Sequence, residues 1–183
     1  AHWTMSEDSL QSATVLADKT PYENKGTIYG ATFTTDRKGQ PNKAMSFDGN
    51  DYIDCGSDKS LRLTNTATIS AWIKYSGNIG KGGYSGVIGS TERNHYNWLL
   101  RVTSGRKIEF RAWNGKADSV TSNSAIALNT WTLITAAIDI SSGYVEIYIN
   151  GTLDARDTNF TFTSLYNNEP NTLTKIGVYN WTY

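Results

Sequence analysis

A single cysteine, Cys55, leaves the chain of 183 residues without an internal disulfide and without a cysteine-rich zinc site. It reads as a small buried side chain where a strand ends. No apolar run approaches the roughly 20 residues that span a bilayer as a helix, and the opening AHWTMSEDS lacks the charged-then-apolar pattern of a secretory signal. Net charge is missing too, because 17 basic and 17 acidic side chains cancel. No global field draws the chain to nucleic acid or to an anionic membrane. Phosphate-cradling loops are absent: GNIGKGG holds a lysine among glycines, but no G-K-S/T follows at P-loop spacing.

What is present is turn and strand chemistry. Only three prolines stand beside 16 glycines, with heavy use of Thr, Ser, Asn and Tyr, which is the composition of a turn-rich β protein poor in helix. With no long linker and no internal repeat, residues 1–183 read as one domain. Strand patterns recur every eight to twelve residues or so, as in a two-sheet sandwich. Ala1 to Met5 is expected as a short strand with Trp3 as its core anchor. In Thr66 to Tyr75, Ile69, Ala71, Ile73 and Tyr75 alternate with Ser70, Trp72 and Lys74. Tyr96 to Val102 and Lys107 to Trp113 form a hairpin through Thr103–Arg106, and Asn114–Gly115 supplies the next turn. A loop is expected through SVTSNSAIALN, then a central strand, Trp131 to Ile140, covered on both faces. Tyr144 to Asn150 points Val145, Ile147 and Ile149 inward, the tail from Asp154 to Asn171 reads as loop, and Leu173 to Tyr179 as the last strand.

The stretch KAMSFDGNDYIDCG, Lys43 to Gly56, sets two short strands around a polar corner, Asp48-Gly49-Asn50-Asp51. Together with LTNTATISAWIKY, NTWTLITAAID and YVEIYINGTL it resembles the laminin-G-like, concanavalin-A-like lectin-glucanase domains. The resemblance implies an all-β, two-sheet antiparallel jelly-roll sandwich of extracellular or cell-surface location. It narrows function less, because that scaffold carries lectins, glycan-binding modules, adhesins and some glycan-cleaving enzymes. It also implies a structural calcium at the loop of type D-x-S-G-N-x-x-x-G-T, where Asp18 and Asn24, with Gly26 and Thr27, fit the pattern. The other reading of that loop is a turn held by Asp and Asn side chains. Relatives end in a strand of the form F-x-G-x-I-D-x-V-x-I-Y beside the first one, whereas this chain stops at Tyr183. That predicts an unpaired edge near Trp3, open to a strand-exchanging or assembly partner.

Glycan binding on such a scaffold needs flat rings against the apolar face of a sugar and planar polar groups for its hydroxyls. Trp113 with Arg111 and Glu109 shares one strand face and offers that set. Arg93, His95 and Tyr96, at the start of the preceding arm, extend it. The competing reading is cross-strand packing with a surface ion pair. Trp3, Trp72 and Trp131 read as packing, and His95 as a loop residue rather than a catalyst. The E-x-D-x-x-E spacing of glucanases does not occur. Lys175 to Trp181 resembles the K-A-G-x-Y-x-Q phrase of alginate lyases, but Trp181 replaces its glutamine and no Q-x-H strand supports it. N-x-S/T sequons at Asn150, Asn159 and Asn180 permit glycosylation without arguing for it. The reading is a non-catalytic extracellular recognition module for glycan. Its competitor is a structural or adhesive subunit of a cell-surface assembly.

Overall fold

The computed structural model describes residues 1–79, 83–92, 95–113, 116–161, 165 and 172–177, with backbone alone for 92, 95 and 96. Residues 1–5, expected as a strand, form none; a 3-10 turn at Glu7–Ser9 follows. The early strands are short: β1 (Leu10–Ser12), β2 (Val15–Leu16), β3 (Gly26–Tyr29), β4 (Thr32–Thr34), β5 (Ala44–Ser46) and β6 (Tyr52–Asp54). After a second 3-10 turn, Lys59–Leu61, come the long ones: β7 (Thr66–Lys74), β8 (Tyr84–Glu92), β9 (His95–Thr103), β10 (Lys107–Trp113), β11 (Ala117–Ala125) and β12 (Trp131–Asp139). The described elements end with β13 (Tyr144–Ile149), β14 (Thr152–Asp157) and β15 (Leu173–Ile176). None is a helix long and apolar enough to cross a membrane.

Among the described residues the strands pair antiparallel, in the order β1-β2-β3-β6-β15-β8-β9-β10-β11 in one sheet and β14-β13-β12-β7 in the other. The two face each other as a jelly-roll sandwich. A separate ribbon joins β4 to β5. The Asp48–Asp51 corner therefore does not close a hairpin: β5 pairs with β4, while β6 enters the large sheet between β3 and β15. Asp51 and Asp48 side chains accept from the backbone of Asp48 and Asn50, which stiffens the corner where the chain changes sheets. At the β13–β14 turn, Asn150 and Gly151 both take positive φ, 52° and 81°. That matches the twist of two antiparallel strands.

Alternation decides which side chains are sealed. On β10, Ile108, Phe110 and Ala112 are fully buried, and on β13 so are Val145 and Ile147. They meet Leu100, Val102, Ile134, Ala136 and Ile138 in the main apolar cluster, with Ile73 at its margin. Phe47 lies elsewhere, in a smaller cluster built on Leu16, Ile53, Cys55 and Leu61 under the short early strands. Cys55 is buried there, as expected, and burial pushes its thiol pKa far up, so it stays protonated.

Three expectations need correction. Ala117–Ala125, read mostly as loop, is β11, because Val120 and Ser122 face inward; Ser122 Oγ accepts from Ile108 N at 2.9 Å, where a bulge breaks the ladder. Thr152–Asp157, read in part as loop, is β14, paired with β13. The third is β12, whose Trp131, Leu133, Thr135, Ala137 and Asp139 stay half-buried because no described layer covers that side. Asn114–Gly115, Asn180 and the Lys175–Trp181 phrase beyond Gly177 lie outside the described residues.

Candidate functional site

The β9–β10 hairpin turns one face to the core and the other away from it. Glu109 and Arg101 stand directly opposite each other on the outward face. Their side chains are nevertheless buried, at 8% and 2% exposure, and Arg101 Nε donates to Glu109 Oε2 at 2.5 Å. The Arg101 guanidinium also lies 3.4 Å from the centroid of the Tyr84 ring, reached from β8. Arg111, two residues along β10, is less covered, and its Nη1 sits 3.9 Å from Glu109 Oε1. Trp113 ends the same face, half-buried. Across on β11, Thr121 and Ser119 pair with Glu109 and Arg111.

Leu99 completes the floor next to Arg111 and is itself sealed, at 2% exposure. The close approach of β8 makes this possible: a Cβ on Gly89 would fall 2.4 Å from Leu99 Cδ2 and 2.9 Å from the Trp98 carbonyl oxygen. Only glycine lets the leucine lie flat over the neighbouring strand.

Arg111, Glu109 and Trp113 thus come together as expected, with one difference. Glu109 is not a solvent-facing acceptor but half of a buried ion pair. Arg101 and Tyr84 are the members that sequence reasoning missed. The available signal was an arginine in the middle of WLLRV, at the alternation step that faces Glu109 across the hairpin. His95 and Tyr96 lie in the backbone of β9, paired with Glu92 and Thr91. They stand at the Trp113 end of the hairpin, since Ala112 is level with Trp98. Arg93 lies outside the described residues.

The Asp18 loop is a second polar centre, in the smaller cluster. Asp18 Oδ1 accepts from His2 N at 2.8 Å and Thr20 N at 3.0 Å. Its Oδ2 accepts from Thr20 Oγ1 at 2.8 Å, Asn24 N at 3.1 Å and Asn24 Nδ2 at 3.3 Å. Asn24 Nδ2 also donates to Ser60 Oγ, and the Asn24 carbonyl accepts from Trp3 Nε1 at 2.7 Å. Burial alone pushes this carboxyl up, but the hydrogen bonds from His2, Thr20 and Asn24 outweigh it and hold the pKa at about 2. A calcium ion needs oxygen lone pairs converging on one point, whereas protons surround this carboxylate on both oxygens. The donor set does not fit the cation. Among the described residues no three His, Cys, Asp or Glu side chains gather at a metal-sized spacing.

Residues 47–182 match the sequence profile of the concanavalin A-like lectin/glucanases superfamily, and a search of the curated proteins finds no match. Domain 4 of an extracellular arabinanase from Geobacillus stearothermophilus, solved with arabinotriose, has a similar structure: TM-score 0.55 at 16% identity, over 100% of this chain and 74% of that one. The IT-sialidase CBM40 of Ruminococcus gnavus, bound to α2,3-sialyllactose, gives 0.52 at 13%, over 82% and 76%. A leech intramolecular trans-sialidase gives 0.53 at 14%, over 83% of this chain and 22% of that one. At these identities the likeness is one of fold. With the profile spanning most of its length, the chain belongs to the concanavalin A-like lectin/glucanases superfamily.

Proposed function

We propose that the chain is a non-catalytic, extracellular carbohydrate-binding module whose site is the outward face of β8–β11. The observation that carries this is the Arg101–Glu109 ion pair sealed on a sheet face that points away from the core. A buried pair stabilises a fold little compared with apolar residues of the same volume, so a charged floor in this position has another use. It fixes Glu109, whose Oε1 lies 3.9 Å from Arg111 Nη1, so the more exposed Arg111 guanidinium is held in a set direction, as hydroxyl recognition requires, on the same strand face as the Trp113 ring that suits the apolar face of a sugar. The β9 end with His95 and Tyr96, which Arg93 adjoins in sequence, extends the same surface. Arabinotriose and sialyllactose in structures of similar fold support a glycan as the partner. The loop around Asp18 holds its shape by hydrogen bonds and works without calcium.

Glycan-array screening followed by calorimetric titration tests the assignment. Trp113→Ala and Arg111→Ala each weaken binding of the selected glycan at least tenfold, with melting temperatures within a few degrees of the parent. Unchanged affinity in both variants overturns the site. Release of shorter sugars from the bound glycan overturns the non-catalytic reading.

A further inference from the structure

Residues that stand directly opposite each other in an antiparallel sheet turn their side chains to the same face. In the large sheet one such row runs through Asp54 on β6, Lys175 on β15, Gly89 on β8, Leu99 on β9 and Arg111 on β10. Arg111 belongs to the glycan site proposed above. Lys175 and Asp54 therefore lie on the same outward face, farther along the sheet.

At that end the face carries a second cluster of rings and charge. Tyr52, two residues before Asp54, shares its side of β6, because Ile53 between them is sealed in the smaller core. Tyr29 on β3 is the direct partner of Tyr52. The two rings stack with centroids 4.7 Å apart and planes 18° from parallel. On β15, Lys175 places its Nζ 4.8 Å from the centroid of the Tyr52 ring. A cation and two rings are thus held together, and Tyr29 keeps 47% of its surface exposed.

Cross-strand packing accounts for the stacked tyrosines by themselves. Their place in the sheet gives them a further use. Between Lys175 and Arg111 the row holds only Gly89, which has no side chain, and Leu99, which is sealed at 2% exposure. A ligand touching both ends crosses no charge in that row. Three steps between neighbouring strands make a span of about 14 Å. One sugar ring is too short for that distance, and a short oligosaccharide covers it.

We propose that Tyr29, Tyr52 and Lys175 form a second subsite of the same surface, so that the ligand is an oligosaccharide lying across the strands rather than a single terminal sugar. The inference rests on the reading of β8–β11 as a carbohydrate site. The Tyr29 ring, backed by Tyr52, meets the apolar face of one sugar unit, and the Lys175 ammonium donates to its hydroxyls. Arg111 and Trp113 hold another unit at the far end. Joining two weak contacts through one chain multiplies their effect on affinity without any new contact.

The test titrates the full chain with length ladders of arabinan, xylan, mannan, polygalacturonate and polysialate, from single sugars to about six units. On the ladder that binds, affinity rises about tenfold or more once the members are long enough to reach both clusters. Tyr29→Ala and Lys175→Ala remove that rise and leave the shortest binding members as tight as in the parent. Tyr29→Phe keeps the ring and keeps the rise, which separates a lost contact from a misfolded variant. Amide resonances of Tyr52, Asp54 and Lys175 shift with the long members and not with the short ones. Affinity independent of length, or a rise that survives both alanine variants, overturns the second subsite while the site at Arg111 stands. Failure of every ladder to bind at any length sinks the carbohydrate reading itself, and the subsite with it.

Discussion

At Asp18, one carboxylate ties residues of the N-terminus, a turn and the second 3-10 segment together through His2, Thr20 and Asn24. Its pKa of about 2 lies below the ordinary 3.8. A depressed carboxyl pKa adds stability that is full above the unfolded value and disappears as pH falls through the folded one. Urea unfolding between pH 5 and pH 2 should therefore show about 2 kcal/mol of stability lost in that window, and Asp18→Asn should flatten the profile there. Because protons already saturate both oxygens, the melting temperature should be the same in millimolar calcium and in chelator; a rise of several degrees with calcium would mean that the loop rearranges around the ion. Glu109 poses the opposite case. Glu109→Gln leaves the Arg101 guanidinium buried with a weaker partner and should cost roughly 3–5 kcal/mol in denaturant titration. The paired change Arg101→Met with Glu109→Leu should recover most of that loss while abolishing glycan binding, which a purely structural ion pair would not do.

Elements were legible where the period of two was carried by strong strand formers. Lys107–Trp113 and Thr66–Lys74 fall where alternation placed them, with the expected residues inward. ADSVTSNSA was not legible, because its serines and asparagine read as turn chemistry; Ser122 is in fact a hydroxyl standing in for a ladder carbonyl at a bulge, a role that only the neighbour's backbone reveals. For the same reason Arg101 escaped notice: its meaning depends on standing opposite Glu109, and register is a property of two strands. That Trp113 and Arg111 share one face was legible because a single strand sufficed to put them there. Gly89 also belongs to this scale. Gly89→Ala drives a methyl into Leu99 and the Trp98 carbonyl, so it should destabilise by about 1–3 kcal/mol and shift Leu99 beside Arg111, weakening glycan binding even where the variant still folds. Thermal melts alongside glycan titration would register both effects.

At the scale of the molecule, the fold class was readable from composition, spacing and the family phrases. Its division into two interiors was not. Phe47 does not meet Ile73 and Ile147, because the short strands around Leu16, Ile53 and Cys55 hold their own apolar cluster, beside partly buried Trp3, Met45 and Phe47. One interior is clamped between long, fully registered strands; the other is stitched from pieces of two to four residues and a polar corner. Heat should reach the stitched interior first. A calorimetric scan should broaden toward lower temperature as the stitched part loosens first, with Cys55 becoming open to thiol reagents before the β12–β13 amides lose protection. The lone thiol would then serve as a built-in thermometer for the weaker half.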